Sequence, residues 1–489
     1  MALVKKPELI VLRSEDSFAS CIDYVMHLFC HVNRWQVRFS NTRHAAPLVK
    51  SAPNPRVILH YSTGDTTFDA DEWTDHCSLF IRVPRGPFFG RKFLESPDLP
   101  EPPQALVDLA DPRVFRNSVF HSGSKSMRLN FDMVAAAFWF LTRYEEYIIS
   151  TPDEHGRFLC AHSLAPPHLY DQPLVSLWFA HLSAMIREHL KLPAPPPPRQ
   201  TIALTHDVDL MRKYRGLRGA RRALSTVVQS NVTDATGEMR YASLVFAGIR
   251  RDPYDSFDQL FALKDRIGAP STFFLMGGGN TPYDGDYDLE DTHFRDLVMR
   301  IRNTGDEIGV HPSYDSYRSE PTIRAQHAAV SQAVGQQVAG SRQHYLRFVV
   351  PETWRALAGA GIRYDASLSF PDRAGFRCGW SGCLRPFDVE RRTELPIIEV
   401  PLTVMDVTIA NYEKVPAEHA VERVAKLLDA STVPGGAFVL LWHNILRDSR
   451  VFPGYWDSFE YFLFAAAGHA RFQTLSKLCD EFEQPEMTS

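Results

Sequence analysis

The chain has 489 residues, 44% hydrophobic and 23% charged, with a formal net charge of -5. That balance excludes disordered, collagenous and fibrous classes, and the lack of a basic excess gives no reason to expect nucleic acid or an anionic membrane as partner. Single cores stop growing at roughly 250–300 residues, so two domains are expected.

Residues 1–18 reach acidic and polar side chains before any apolar stretch long enough for a signal-peptide core, which predicts a protein that is not exported. No apolar run of 18 or more residues is found, so a membrane span is not expected either. Seven cysteines (21, 30, 77, 160, 378, 383 and 479) are scattered without Cys-x-x-Cys or zinc-finger spacing, which fits reduced thiols and a cytoplasmic location.

In the first part of the chain, Arg56 to Tyr61 reads as a strand. Phe131 to Ile149 reads as a long, mostly apolar helix closing on Arg143, Glu145 and Glu146. Mixed charges at a helix end are expected to be a solvated face, and no catalytic spacing stands out in this half. The run Leu192-Pro-Ala-Pro-Pro-Pro-Pro-Arg-Gln200 cannot continue a helix and favours an extended linker. The expected division is an N-terminal α/β domain over 1–192, a Pro-rich linker over 193–200 and a second domain over 201–489.

After the linker, short apolar runs alternate with helical patterns, the mark of βα units that build a parallel sheet or barrel. Ser256-x-x-Gln259 has the form of a capping box. Phe257, Leu260, Phe261 and Leu263 make an apolar stripe, and Gly268 followed by Pro270 ends the helix before the strand Ser271 to Leu275. Phe294, Leu297, Val298 and Ile301 repeat the pattern, Gly305 closes it, and Glu307 to His311 forms the next strand.

Four polar clusters follow apolar strands. Thr205-His-Asp207-Val-Asp209 carries two carboxylates on one face of an extended segment, suited to one metal-bound carboxylate and one free base. His311 ends the second cluster, with Asp315 four residues on. Arg342, His344 and Tyr345 form the third, and Leu440-Leu-Trp-His443 the fourth. Parallel barrels gather their chemistry at the carboxyl ends of their strands, which sets these clusters apart from isolated polar residues.

In their order along the chain these clusters resemble the polysaccharide deacetylases, the carbohydrate esterase family 4 type, in a branch with an added N-terminal domain. The likeness covers about Thr201 to Gln473. The family's Thr-Phe-Asp-Asp-Gly corresponds to Thr205 to Asp209, its Arg-Pro-Pro-Tyr to Arg342 to Tyr345, and its closing Leu-x-Leu-His to Leu440 to His443. The resemblance implies a C-terminal (β/α) barrel, distorted or incomplete, after a smaller mixed α/β domain. It also implies Asp207 as base, Asp209 and His311 as ligands of a divalent metal, zinc above all, Arg342 as the partner of Asp207, and His443 as acid. The family's second metal-motif histidine is here Asp315. His344 is expected to supply the third ligand instead, with Asp315 as the competing ligand.

The implied activity is removal of an N-acyl group, such as acetyl, from an amino sugar or glycan precursor, free or carried on a nucleotide or lipid. A same-fold hydrolase of a non-sugar amide and an inactive carbohydrate-binding homologue are the alternatives. A glycosyltransferase using Asp207 and Asp209 for a nucleotide-bound metal is disfavoured because it leaves His443 without a role. Met276 to Asn280 lacks the Lys-Ser/Thr of a phosphate loop, and Asp284 to Asp288 lacks the glycine and glutamate of a calcium loop. The basic stretch from Arg212 to Arg222 is expected to be a solvated loop, with a pyrophosphate-binding role as its rival.

Overall fold

Apolar runs joined by helix-length connections can pair only in parallel, and the chain builds two such sheets. The computed structural model describes residues 7–13, 17–41, 48–49, 56–63, 75–214, 232–285 and 287–484. Arg215, Arg218, Arg221 and Arg222 of the basic stretch, and Asp286 of the acidic one, lie outside the described residues.

The first sheet contains β1 (Glu8–Leu12), β2 (Gln36–Ser40), β3 (Arg56–Ser62), β4 (Leu79–Pro84), β5 (Val119–Gly123) and β6 (Ser126–Leu129). Its order is β2-β1-β3-β4-β6-β5, parallel except for the β5–β6 hairpin. The helix Ala19–Asn33 crosses from β1 to β2 and buries Ile22, Val25, Met26 and Phe29, a stripe at helical spacing.

The second sheet starts with β7 (Thr201–Val208), β8 (Ser271–Met276), β9 (Glu307–His311), β10 (Gly340–Ser341) and β11 (Tyr364–Asp365). A hairpin of β12 (Phe387–Asp388) and β13 (Thr393–Glu394) precedes β14 (Ile398–Glu399), β15 (Val404–Met405), β16 (Phe438–Leu441) and β17 (Arg471–Phe472). The order is β14-β11-β10-β9-β8-β7-β16-β15, with β17 on β7 and every neighbour parallel. The path stays open between β14 and β15, so the expected incomplete barrel is what forms. Gly268 (φ 63°) and Gly305 (φ 71°) end the helices Phe257–Ile267 and Thr292–Asn303 in the left-handed conformation, as their spacing predicts. Ser256 is not a side-chain cap: its hydroxyl donates to the Asn444 carbonyl 2.9 Å away.

Residues 193–200 have no regular structure and are mostly exposed. One continuous apolar core nevertheless reaches across them, from Phe29, Phe138 and Phe179 to Trp380 and Phe387. Phe179 packs edge-on against Trp380 at 5.8 Å, and Tyr24 lies 4.9 Å from Phe387.

Two expectations for residues 131–149 need correction. The α-helix covers only Met133–Leu141, because Arg143 takes a left-handed φ of 53° and a tight turn follows at Tyr144–Tyr147. The charges after it are not a solvated face: Arg143 and Glu145 are fully buried. Arg143 bonds Glu146 at 2.7 Å, Glu145 at 2.6 Å and the Arg377 carbonyl at 2.6 Å, while Arg377 bonds Glu146 at 2.6 Å. The cause is long-range, since Arg377 belongs to the loop that packs on this turn from the other side of the linker.

No helix among the described residues is long and apolar enough to cross a membrane.

Candidate active site

Every polar cluster singled out in the second half ends or directly follows a strand of the second sheet. β7 is buried along its whole length and presents Asp207 at its end, with Asp209 just beyond. His311 is the last residue of β9, Arg342 and His344 follow β10, and His443 follows β16. Parallel pairing brings all these ends to the same rim. Gly340 begins β10, where the Tyr364 ring fills the space that a Cβ would need.

Asp209, His311 and His344 form a group that could hold a metal ion, their donor atoms all within 4.8 Å of one another. His311 Nε2 lies 3.1 Å and His344 Nδ1 3.4 Å from Asp209 Oδ1, and the two nitrogens are 3.0 Å apart. A tetrahedral ion with bonds of about 2.0–2.1 Å holds its donors about 3.3 Å apart, so these residues fit one. The far side of each ring supports the same arrangement. His311 Nδ1 lies 2.5 Å from the Arg342 carbonyl and His344 Nε2 2.8 Å from the Tyr283 carbonyl. A carbonyl only accepts, so those nitrogens carry protons, and each ring in its neutral form would turn a lone pair toward a bound ion. Burial alone would raise the Asp209 pKa, but the imidazoles of His344, His311 and His443 hold it well below the usual carboxylate value. Burial would likewise lower that of His344, and Asp209 beside it raises it instead.

Asp315 is elsewhere: its side chain is 70% exposed and paired with Arg347 at 2.8 Å.

Asp207 is buried, with Oδ2 3.9 Å from His311 Nε2. Arg342 faces it, with Nη1 3.6 Å from Oδ1, an ion pair too long for a direct hydrogen bond. Asp207 Oδ1 and Arg342 Nε and Nη1 have no hydrogen-bond partner among the described residues. Burial lowers the Arg342 pKa, and Asp207, then Asp365, act against that.

His443 lies across from the triangle, its Nε2 3.6 Å from Asp209 Oδ2. Its Nδ1 is 2.7 Å from Asp406 Oδ1, and its backbone N–H donates to Asp406 Oδ2 at 2.5 Å. Burial would lower the His443 pKa, but Asp406, followed by Asp209 and Asp207, pushes it up to about 10. Sequence reasoning missed Asp406. The signal was present, since it follows β15 as the other site residues follow theirs.

Comparisons with known proteins give partial matches. Residues 10–191 match the model of a family of unknown function, DUF7033. No curated protein matches the sequence. Among solved structures, the chain is similar to a Mycobacterium smegmatis protein assigned as a polysaccharide deacetylase, at 17% identity and a TM-score of 0.40, over 61% of this chain and 96% of that one. It is also similar to Puue allantoinase, at 13% identity and a TM-score of 0.39, over 60% and 96%. A family 4 carbohydrate esterase from Streptomyces lividans matches at 12% identity and a TM-score of 0.30, over 57% and 94%. Polysaccharide deacetylases and family 4 carbohydrate esterases are thus its structural neighbours. At such identities the likeness does not extend to activity, and what the chain can do follows from its own donors.

Proposed function

We propose that this chain is a metal-dependent hydrolase that removes an N-acyl group, acetyl above all, from an amino sugar or glycan precursor. The observation that carries the reading is the Asp209–His311–His344 triangle placed between a buried carboxylate, Asp207, whose Oδ1 has no hydrogen-bond partner among the described residues, and an imidazole tied to a carboxylate, His443. Two imidazoles and one carboxylate suit zinc, and a bound ion would supply a Lewis acid that acidifies water and polarises the acyl oxygen.

The remaining chemistry belongs to side chains. Asp207 takes the proton of the attacking water, and Arg342 behind it keeps the carboxylate charged and oriented. His443 gives its Nε2 proton to the departing nitrogen, because an amide cannot expel an amine anion. Asp406 holds the Nδ1–H and so fixes the ring and favours the charged form. The balance is one water consumed, the C–N bond broken, and a carboxylic acid and an amine released.

The assignment extends to the domain limits, 1–192 and 201–489 around the linker 193–200, and to a cytoplasmic enzyme acting on precursors. Metal analysis of purified protein with an acetate-release screen over amino sugars, nucleotide sugars and non-sugar amides tests it. His344→Ala is expected to lose the metal and Asp315→Ala to keep it. Metal retained in His344→Ala and lost in Asp315→Ala reverses the ligand assignment, and release from the non-sugar amides alone rejects the sugar.

A further inference from the structure

Two tyrosines stand exposed beside the donor triangle, Tyr283 at 45% and Tyr345 at 37%, and Arg157 links a third, Tyr412 at 40%, to Tyr345. Tyr345 and Tyr283 are continuous with the site, since the Tyr345 ring lies 4.8 Å from that of His344, and the Tyr283 carbonyl accepts from His344. Tyr283 and Tyr345 meet edge-on at 5.5 Å.

What holds them comes from the other side of the linker. Arg157 is buried and donates to the Tyr345 carbonyl at 3.1 Å, the Tyr412 hydroxyl at 2.9 Å and Asp153 at 2.9 Å. His155 packs 5.1 Å from Tyr345 and 5.5 Å from Tyr283, and its Nδ1 lies 2.8 Å from the Tyr314 hydroxyl. Arg347 ties the turn back to the barrel by donating to the His155 carbonyl at 2.7 Å. Tyr345 has a φ of 60°, a conformation a tyrosine rarely adopts and one that persists where neighbours fix it.

Resting on the hydrolase reading, we propose that the Asp153–Arg157 turn is part of the substrate site. It sets Tyr283, Tyr345 and Tyr412 as a platform for the pyranose ring adjoining the acylated one. A pyranose offers an apolar C–H face with hydroxyls at its edge, and tyrosine offers a rigid ring with a polar tip. The two guanidiniums described there, Arg157 and Arg347, are both engaged by protein groups, so the patch favours a neutral sugar over a phosphate. Arg157 acts through the tyrosines and is a positioning residue.

The test uses the full chain with N-acetylglucosamine and its β-1,4-linked trimer, measured by calorimetry and by acetate release. The wild type should prefer the trimer, and Tyr283→Ala or Tyr412→Ala should cut that preference about tenfold, the loss falling on KM rather than kcat. Arg157→Met should behave like the tyrosine variants, with partial recovery in Arg157→Lys. Equal affinity for monomer and trimer in the wild type, no trimer binding, or unchanged preference in both tyrosine variants would overturn the platform. Trimer binding that responds to these variants without acetate release leaves the platform standing and removes the hydrolase reading. Acetate release indifferent to them does the reverse.

Discussion

Two clusters of charge in this chain are both largely buried and opposite in bonding. At the seam between the N-terminal turn and the 369–380 loop, Arg143, Glu146 and Arg377 engage one another, and Glu145 accepts from Arg143, from Ser163 and from the Leu164 backbone. At the strand ends, Asp207 Oδ1 and two nitrogens of Arg342 have no hydrogen-bond partner among the described residues. Burying a charge without satisfying it is costly, so a fully bonded cluster reads as structural, whereas an incompletely bonded one marks where a ligand or reacting group belongs.

The largest expected effect is at the strand ends. Asp207→Asn keeps the shape but cannot accept the water's proton, so turnover should fall by about 10²–10⁴-fold with metal content unchanged. Measuring both quantities in one preparation checks it, and metal lost along with turnover would exchange the roles of Asp207 and Asp209.

The seam should answer in stability instead. Glu146→Gln leaves two buried guanidiniums short of a counter-charge, and breaking such a pair costs about 3–5 kcal/mol. Denaturant unfolding should show that loss while turnover per folded molecule holds. A loss of turnover at unchanged stability would place the seam in the catalytic apparatus and dissolve the contrast.

Much of this was legible in the sequence, and the reason is local. Gly268 and Gly305 end helices by backbone geometry that any reader of the sequence can anticipate, and a polar residue after an apolar strand reports its rim position wherever the fold is parallel. That rule located Asp207, Asp209, His311 and His443. It did not reveal that Arg143 and Glu145 are buried, because Arg377 lies 234 positions from Arg143 in sequence. Nor did it flag His155 and Arg157, whose partners Tyr314, Tyr345 and Tyr412 come from across the linker. Asp406 obeys the rule and was passed over only because no motif pointed to it.

The rim offers a finer test of the contrast. His443→Ala and Asp406→Asn should both lower turnover with the metal kept, Asp406→Asn less so. The asparagine can still accept from Nδ1–H but no longer favours the charged ring whose pKa is pushed up to about 10. A pH profile whose alkaline limb moves down in Asp406→Asn would support the pairing, and an unmoved limb would break it.

Asp132 sharpens the comparison because it falls between the two clusters. It caps the helix Met133–Leu141, accepting from Ala135 N at 2.9 Å, and also accepts from Gly86 N at 2.7 Å and from Tyr61. It is hydrogen-bonded like the seam, yet among the described residues it has no ion pair. Burial raises its pKa to about 6 against the lowering effect of those donors, with Glu101 adding to the rise. The sign follows from linkage. Between about pH 4 and 6 the folded state holds a proton that the unfolded state has released, so this contribution is complete below the unfolded pKa and is lost as pH rises through about 6. Two units correspond to about 3 kcal/mol at most. Asp132→Asn removes the titration but brings a fixed cost, since its amide N–H₂ must face donors already in place. The readout is therefore the pH dependence of the stability difference between wild type and variant, not its offset. That difference should shift in the wild type's disfavour from pH 4 to pH 6 and then level. A difference that stays flat across that interval would mean that hydrogen bonds alone keep Asp132 ionised, and that a counter-charge is not what separates the seam from the rest.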